Sequence, residues 1–160
     1  MNIHKTYFYL ILVLAFLGCK PEVEKVEVKK TTESRKQISG IKIPENVDGD
    51  FKTFLYYFSK DSIFQISRVN FPLKVMEVDQ NNTFEQLEMI IQKNEYTKLD
   101  FEYPKDALTR ETSRYTQNIK TKDNKSDVEI RGYDNGIDTD YFFEKENGKW
   151  ILKSWDDNSN

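Results

Sequence analysis

Thiols and imidazoles are nearly absent from this chain of 160 residues: Cys19 and His4 are the only ones of their kind. A lone cysteine forms no internal disulfide, and it excludes thiol-nucleophile and cysteine–metal chemistry from a domain folded downstream of it. Without a histidine beyond position 4, serine and cysteine triads, imidazole acid–base catalysis and ordinary zinc centres are excluded as well. No metal and no other cofactor is expected. Long apolar runs are missing too, since the uncharged stretch Thr6 to Leu17 falls short of the roughly 20 residues that span a bilayer. Lys and Arg number 24 against 27 Asp and Glu, with no basic block in the part expected to fold, so no nucleic acid is expected as a partner.

What is present begins with a leader. Lys5 precedes the uncharged stretch, which ends at Gly18-Cys19, the layout of an export segment. The junction Phe16-Leu17-Gly18-Cys19 resembles the bacterial lipoprotein box, with Phe where Leu is usual. That resemblance implies a signal peptide over 1–18, a palmitate-type lipid on Cys19 and a membrane partner through that anchor. An ordinary cleaved signal, or a short anchor with a bystander cysteine, is the alternative. More than one acyl chain makes such an anchor permanent. Loss of the leader removes Lys5 and His4 and leaves 23 basic against 27 acidic residues. Lys20 stands where a retention Asp is often found, which points to the outer membrane, its periplasmic or surface face left open.

Residues 19–43 are charged and free of aromatics, a composition that cannot bury a core and reads as a flexible tether, although VEKVEV within it alternates like a strand. Residues 44–160 read as one α+β domain. Phe51, Phe54, Leu55 and Phe58 recur at helical spacing behind Asp48 or Asp50 as N-cap. A second short helix is expected from Asp61 or Ser62 through Val69, ending at Asn70. Phe71, Leu73 and Val75 alternate as a strand, and Pro72 suggests that it begins at a sheet edge. The stretch 84–92 is ambiguous between helix and strand, with strand preferred, and Tyr115 to Thr121 alternate as another strand.

The final meander is the most legible part. Asn147-Gly148 and Asn135-Gly136 each sit between alternating runs, as two-residue hairpin turns do. Counting outward from the first sets Phe143 opposite Leu152 and Tyr141 opposite Ser154; counting from the second sets Val128 opposite Phe143 and Ile130 opposite Tyr141. One face then carries Val128, Ile130, Tyr141, Phe143, Trp150 and Leu152. The other carries Glu129, Arg131, Asp140, Phe142, Glu144, Ile151, Lys153 and Trp155, with Arg131 opposite Asp140.

Helices followed by a long antiparallel meander are similar to the nuclear transport factor 2-like, cystatin-like superfold. The run Asp61, Phe64, Gln65, Arg68, Phe71, Pro72, Leu73, within DSIFQISRVNFPL, resembles the signature of the domain of unknown function 4348 family of bacterial lipoproteins. The resemblance covers Phe51 to Trp155 and implies N-terminal helices packed on a curved antiparallel sheet, in a group with no established activity. Tyr96 stands where that family leads us to expect Trp.

On the expected inner face the polar groups are Gln117, Thr139 and Ser154, beside Tyr115, Tyr141 and Trp150. They could line a pocket for a neutral or weakly polar ligand, or satisfy one another in a filled core. Gln65 and Arg68, three apart on one helix, could bind an anion or hold that helix to neighbouring loops. The carboxylates Asp138, Asp140 and Glu144 fall on the outer face, away from Tyr141. No catalytic residue is therefore assigned, and the first reading is a noncatalytic module binding a small molecule or a protein. The alternatives are an isomerase- or dehydratase-like enzyme using a Tyr and a carboxylate, or a purely structural envelope protein. For the anchor, Cys19→Ser is expected to release the chain from sedimented membranes or to block its processing. Unchanged membrane association in that variant would refute the lipid anchor.

Overall fold

The computed structural model describes residues 40–160; the expected signal segment, Cys19 and the charged stretch through Ser39 lie outside the described residues. A single 3-10 turn, Val47–Gly49, leads into helix α1, Phe51–Lys60. Asp50 starts the helix: its carboxylate accepts the Thr53 backbone N–H at 2.8 Å, satisfying one of the donors that every helix start leaves open. Phe51, Phe54, Leu55 and Phe58 are all buried, as their spacing predicts. Asp61 caps helix α2, Ser62–Ser67, accepting from the Phe64 N–H at 2.8 Å. This helix is shorter than its apolar spacing predicts. The Arg68 carbonyl accepts the Leu152 N–H at 2.8 Å, and that pairing draws Val69 into the sheet.

Six strands follow: β1 (Val69–Asp79), β2 (Asn82–Ile91), β3 (Tyr115–Lys122), β4 (Lys125–Gly132), β5 (Asp138–Glu146) and β6 (Lys149–Asp157). Their order across the sheet is β2-β1-β6-β5-β4-β3, antiparallel throughout except for the parallel pair of β1 and β6. The ambiguous stretch 84–92 is thus a strand. Pro72 does not mark an edge, because β1 runs between β2 and β6. It is tolerated because the β6 register shifts between Val69 and Lys74 and the β2 pairing starts only at Leu73, so no ladder bond needs the missing N–H.

The two Asn-Gly sites behave differently. Asn147 (φ 49°) and Gly148 (φ 78°) form the expected two-residue turn, and Phe143 pairs with Leu152. At the other site the Asn135 side chain is occupied, its Nδ2 donating to the Arg114 carbonyl at 2.7 Å. The chain closes instead through the Gly132 N–H to the Ile137 carbonyl at 2.6 Å, with positive φ at Asp134 and Gly136. The register therefore differs by two residues from the expected one: Val128 pairs with Tyr141 and Ile130 with Thr139. A displacement by two preserves the faces. Arg131 lies opposite Asp138 yet still reaches Asp140 diagonally, at 2.7 and 2.9 Å.

A third departure does change a face. The register between β5 and β6 shifts between Phe142 and Phe143, leaving Lys153 as an extra residue on β6. Beyond it Ser154 pairs with Phe142 and Trp155 with Tyr141. Ser154 is thus outside and Trp155 inside, the reverse of the sequence expectation. The core lies between α1 and the inner sheet face, where Phe54, Phe58, Val128, Phe143, Leu73 and Leu152 are almost fully buried. At the Asn147-Gly148 hairpin, a Cβ on Gly148 would meet nothing within 4 Å, so only its backbone conformation resists substitution. Gly148→Ala is expected to cost about 1 kcal/mol in urea unfolding, the cost of a left-handed non-glycine residue.

Candidate functional site

Gln65 and Arg68 are both buried, and both are hydrogen-bonded within the domain. The Gln65 amide donates to the carbonyls of Phe58 (2.6 Å) and Leu99 (2.9 Å) and accepts from the Tyr96 hydroxyl (2.9 Å) and the Leu99 N–H (2.7 Å). Its hydrogen-bonding capacity is used up in fastening the 92–114 connection to the helices. Burial pushes the Tyr96 hydroxyl far above its ordinary pKa, so it remains a donor to Gln65. Arg68 makes a bidentate pair with Asp48, both contacts at 2.8 Å, and lies over the Phe64 ring. Asp48 also accepts the Trp150 N–H at 2.9 Å. Partial burial acts to raise the Asp48 carboxyl, but the Arg68 hydrogen bond, the Trp150 N–H and the Arg68 and Lys145 charges outweigh it. Its pKa is held below the ordinary 3.8. Gln65 has no donor left for an external anion, and both terminal nitrogens of Arg68 are turned to Asp48.

The six candidate pocket residues are not brought together. Trp150 is in the core, its ring edge-on to Phe51 at 5.0 Å, and its indole Nε1 has no partner among the described residues. Ser154 faces away. Thr139 is buried and donates to Asp157 at 3.2 Å. The bulge at Lys153 thus brings one carboxylate, Asp157, to the inner face near Tyr141. Burial first, and the Asp157 charge second, push the Tyr141 hydroxyl up to about 12. No hydrogen bond joins that hydroxyl to a carboxylate among the described residues, and Asp157 Oδ1 is engaged by Thr139 and the Ser159 N–H. The space between helix and sheet is taken by Phe101, whose ring meets Tyr141 at 4.8 Å, Phe58 at 5.9 Å and Phe143 at 6.1 Å. Ser59 holds Phe101 there: its hydroxyl accepts the Phe101 N–H at 2.8 Å and donates to Asp100 at 2.6 Å. That Ser59 bond, with the Glu102 N–H, holds the Asp100 carboxyl below its ordinary pKa.

Beside the plug a cleft of about 280 Å³ opens between α1, the segment Phe101 to Tyr103, and β3. Leu55, Phe101 and Ile119 form its apolar floor; Lys52, Tyr56, Lys60, Tyr103 and Gln117 ring it. Of the expected pocket residues only Gln117 lines it, its amide donating to the Phe101 carbonyl at 3.2 Å. Tyr115 stands next to it, its carbonyl accepting the Tyr103 hydroxyl at 3.2 Å. Lys60 is paired with Glu102 across the rim. Lys52, Tyr56, Ser59 and Lys60 were missed in the sequence, yet they form a second stripe at i, i+4, i+7 and i+8 beside the phenylalanines. No helix of the described residues is long and apolar enough to cross a membrane, and no cluster of metal-ligating side chains occurs among them.

Short N-terminal helices covering one face of a curved six-stranded sheet define a nuclear transport factor 2-like, cystatin-like domain. The chain belongs to the domain of unknown function family DUF4348, whose model matches residues 23–157, a span that begins inside the charged stretch. An NTF2-like protein from Bacteroides fragilis is similar in structure at a TM-score of 0.51 and 22% identity, over 69% of this chain and 47% of that one. This chain therefore spans about half of that relative's length. A cystatin-like protein from Bacteroides caccae (TM-score 0.51, 23% identity) and a Bacteroides uniformis protein solved by NMR (0.50, 26%) each match over 66% of this chain and 74% of their own. Among curated proteins no relative matches the sequence.

The Asp48 pKa gives a signed test. A carboxyl depressed on folding contributes stability that is present above its unfolded pKa and lost as pH falls through the folded one. Asp48→Asn is expected to be less stable than the parent at neutral pH by about 3 kcal/mol, the cost of leaving Arg68 buried without its partner. In urea melts that gap is expected to narrow as pH falls below 3.8, where the unfolded carboxyl takes up a proton, and to close once pH passes the lower pKa of the folded state.

Proposed function

We propose that this protein is a noncatalytic binding module, held at the bacterial envelope by lipid on Cys19, that takes a small amphiphilic molecule in the cleft between α1 and β3. The observation that carries the reading is the cleft itself. An apolar floor of Leu55, Phe101 and Ile119 is ringed by a few polar groups, the makeup of sites that bind a flat apolar body with one polar end. Lys52, an exposed rim ammonium, suits an anionic or strongly accepting end group. Binding is favoured over catalysis because the buried tyrosine most suited to acid–base work, Tyr141, is held at about 12 and hydrogen-bonds no carboxylate among the described residues.

A thermal-shift screen of envelope metabolites tests the reading. A ligand present at about 100 times its Kd adds about 2.7 kcal/mol of stability by mass action. Its shift is expected to fall by more than half in Tyr56→Ala and in Ile119→Arg, which remove a wall and charge the floor. Tyr56 is 56% exposed, so its truncation leaves the core intact. A shift that survives both substitutions would place the ligand elsewhere.

A further inference from the structure

Strand β3 is an edge of the sheet, and it borders the cleft. The two-residue turn Asp123-Asn124, with Asp123 at φ 54°, makes Lys122 and Lys125 a hydrogen-bonded pair. Every second residue back along β3, Lys120, Asn118 and Thr116, therefore turns its backbone N–H and C=O to β4, and the residues between them turn theirs outward. Tyr115 confirms this phase. Its N–H donates outward to the Ala107 carbonyl at 3.1 Å, and its carbonyl accepts the Tyr103 hydroxyl at 3.2 Å. Past that point the outward backbone groups of Gln117, Ile119 and Thr121 take no partner among the described residues. The side chains of Gln117 and Ile119 line the cleft, with Leu55 and Phe101 beside them. A bare ladder edge along an apolar recess offers bonds to a main chain and room for alternate side chains.

We propose that the amphiphilic ligand of the cleft is a short acidic peptide, bound extended and antiparallel along the free edge of β3. The inference rests on the cleft reading and adds the class of ligand. A peptide residue opposite Ile119 shares its face, so its side chain enters the cleft, while the residues before and after it point to the outer face. Charge decides what those outer residues are. Strand β3, YTQNIKTK, carries two lysines and no acid. Lys120 is paired with Glu129, whereas Lys122 on the strand and Lys52 on the opposite rim form no ion pair among the described residues. Carboxylates beside Lys120 and Lys122 complement that edge, and a second copy of β3 would bring only further cations. The ligand pattern is thus apolar and acidic residues in alternation.

Backbone methylation reads this geometry. In antiparallel pairing the apolar residues of the peptide are those whose N–H groups face β3, while the N–H groups of the acidic residues face away. The probe is a pool of fluorescein-labelled hexapeptides in which glutamate alternates with leucine, isoleucine or phenylalanine, titrated against the full chain carrying Cys19→Ser. Saturable binding is expected. In its tightest member, methylating the amide nitrogens of the apolar residues should weaken binding about tenfold or more, and methylating those of the glutamates should change it less than about twofold. Ile119→Pro removes an outward N–H without removing a ladder bond and should also weaken binding about tenfold; Ile119→Val, which keeps the N–H, should stay within about twofold of the parent. Equal loss from both methylation patterns overturns the proposal, and so does binding that Tyr56→Ala leaves unchanged. Failure of the whole pool to bind at millimolar concentration overturns it too. A metabolite shift that Tyr56→Ala abolishes would in that case keep the cleft as the site of a different amphiphile.

Discussion

The Asp48 carboxylate is the point on which the arrangement of helices over sheet depends. Sitting in the turn before α1, it accepts from both terminal guanidinium nitrogens of Arg68, at the junction of α2 and β1, and from the backbone N–H of Trp150 at the start of β6. Lys145 on β5 donates to the Asp48 carbonyl at 2.6 Å. One residue thus links the entry to the helical layer, its exit and the final hairpin. The phenylalanine packing beneath it contributes more free energy, but apolar contact is non-directional and would tolerate other angles of α1 across the sheet. A bidentate ion pair does not, and in this partly buried position it stays strong only while its geometry is kept.

Two local events then determine what kind of site the fold carries. The extra residue at Lys153 reverses the facing of the end of β6, bringing Trp155 and Asp157 inward and turning Ser154 out. The Ser59 hydroxyl ties the 92–114 connection to α1 and seats Phe101 among Phe58, Tyr141 and Phe143. The first event supplies a carboxylate near Tyr141, and the second fills the space in which a substrate would have to lie. What is left for a ligand is the flank of the domain, where Gln117 and the outer stripe of α1 face each other across a shallow cleft.

Much of the fold was legible because it is written in short-range chemistry. The caps Asp50 and Asp61, the helical spacing of Phe51 to Phe58 and the Asn147-Gly148 turn depend on residues within a few positions of one another, and each formed as its pattern indicates. The site was far less legible. Gln117 was found because strand alternation gives its face, but Lys52, Tyr56 and Tyr103 gain meaning only when α1 and the connection after β2 meet β3. Gln65 and Arg68 were visible as a pair, whereas the carbonyls and the carboxylate that occupy them come from positions 58, 99 and 48.

The sequence by itself determined most element types, with 84–92 left open, the α+β class and the inward faces of β4 and β5, since periodicity and turn chemistry act locally and a register error of two residues changes no face. Tertiary structure alone decided the interior position of β1 despite Pro72, the failure of Asn135-Gly136 to form a tight turn, and the inversion at Lys153. Each of these depends on a partner distant in sequence: β6 beside β1, the Arg114 carbonyl that takes the Asn135 side chain, and β1 pairing with the end of β6. A backbone hydrogen bond carries no side-chain signature, and so the choice of its distant partner is not written in the residues that make it.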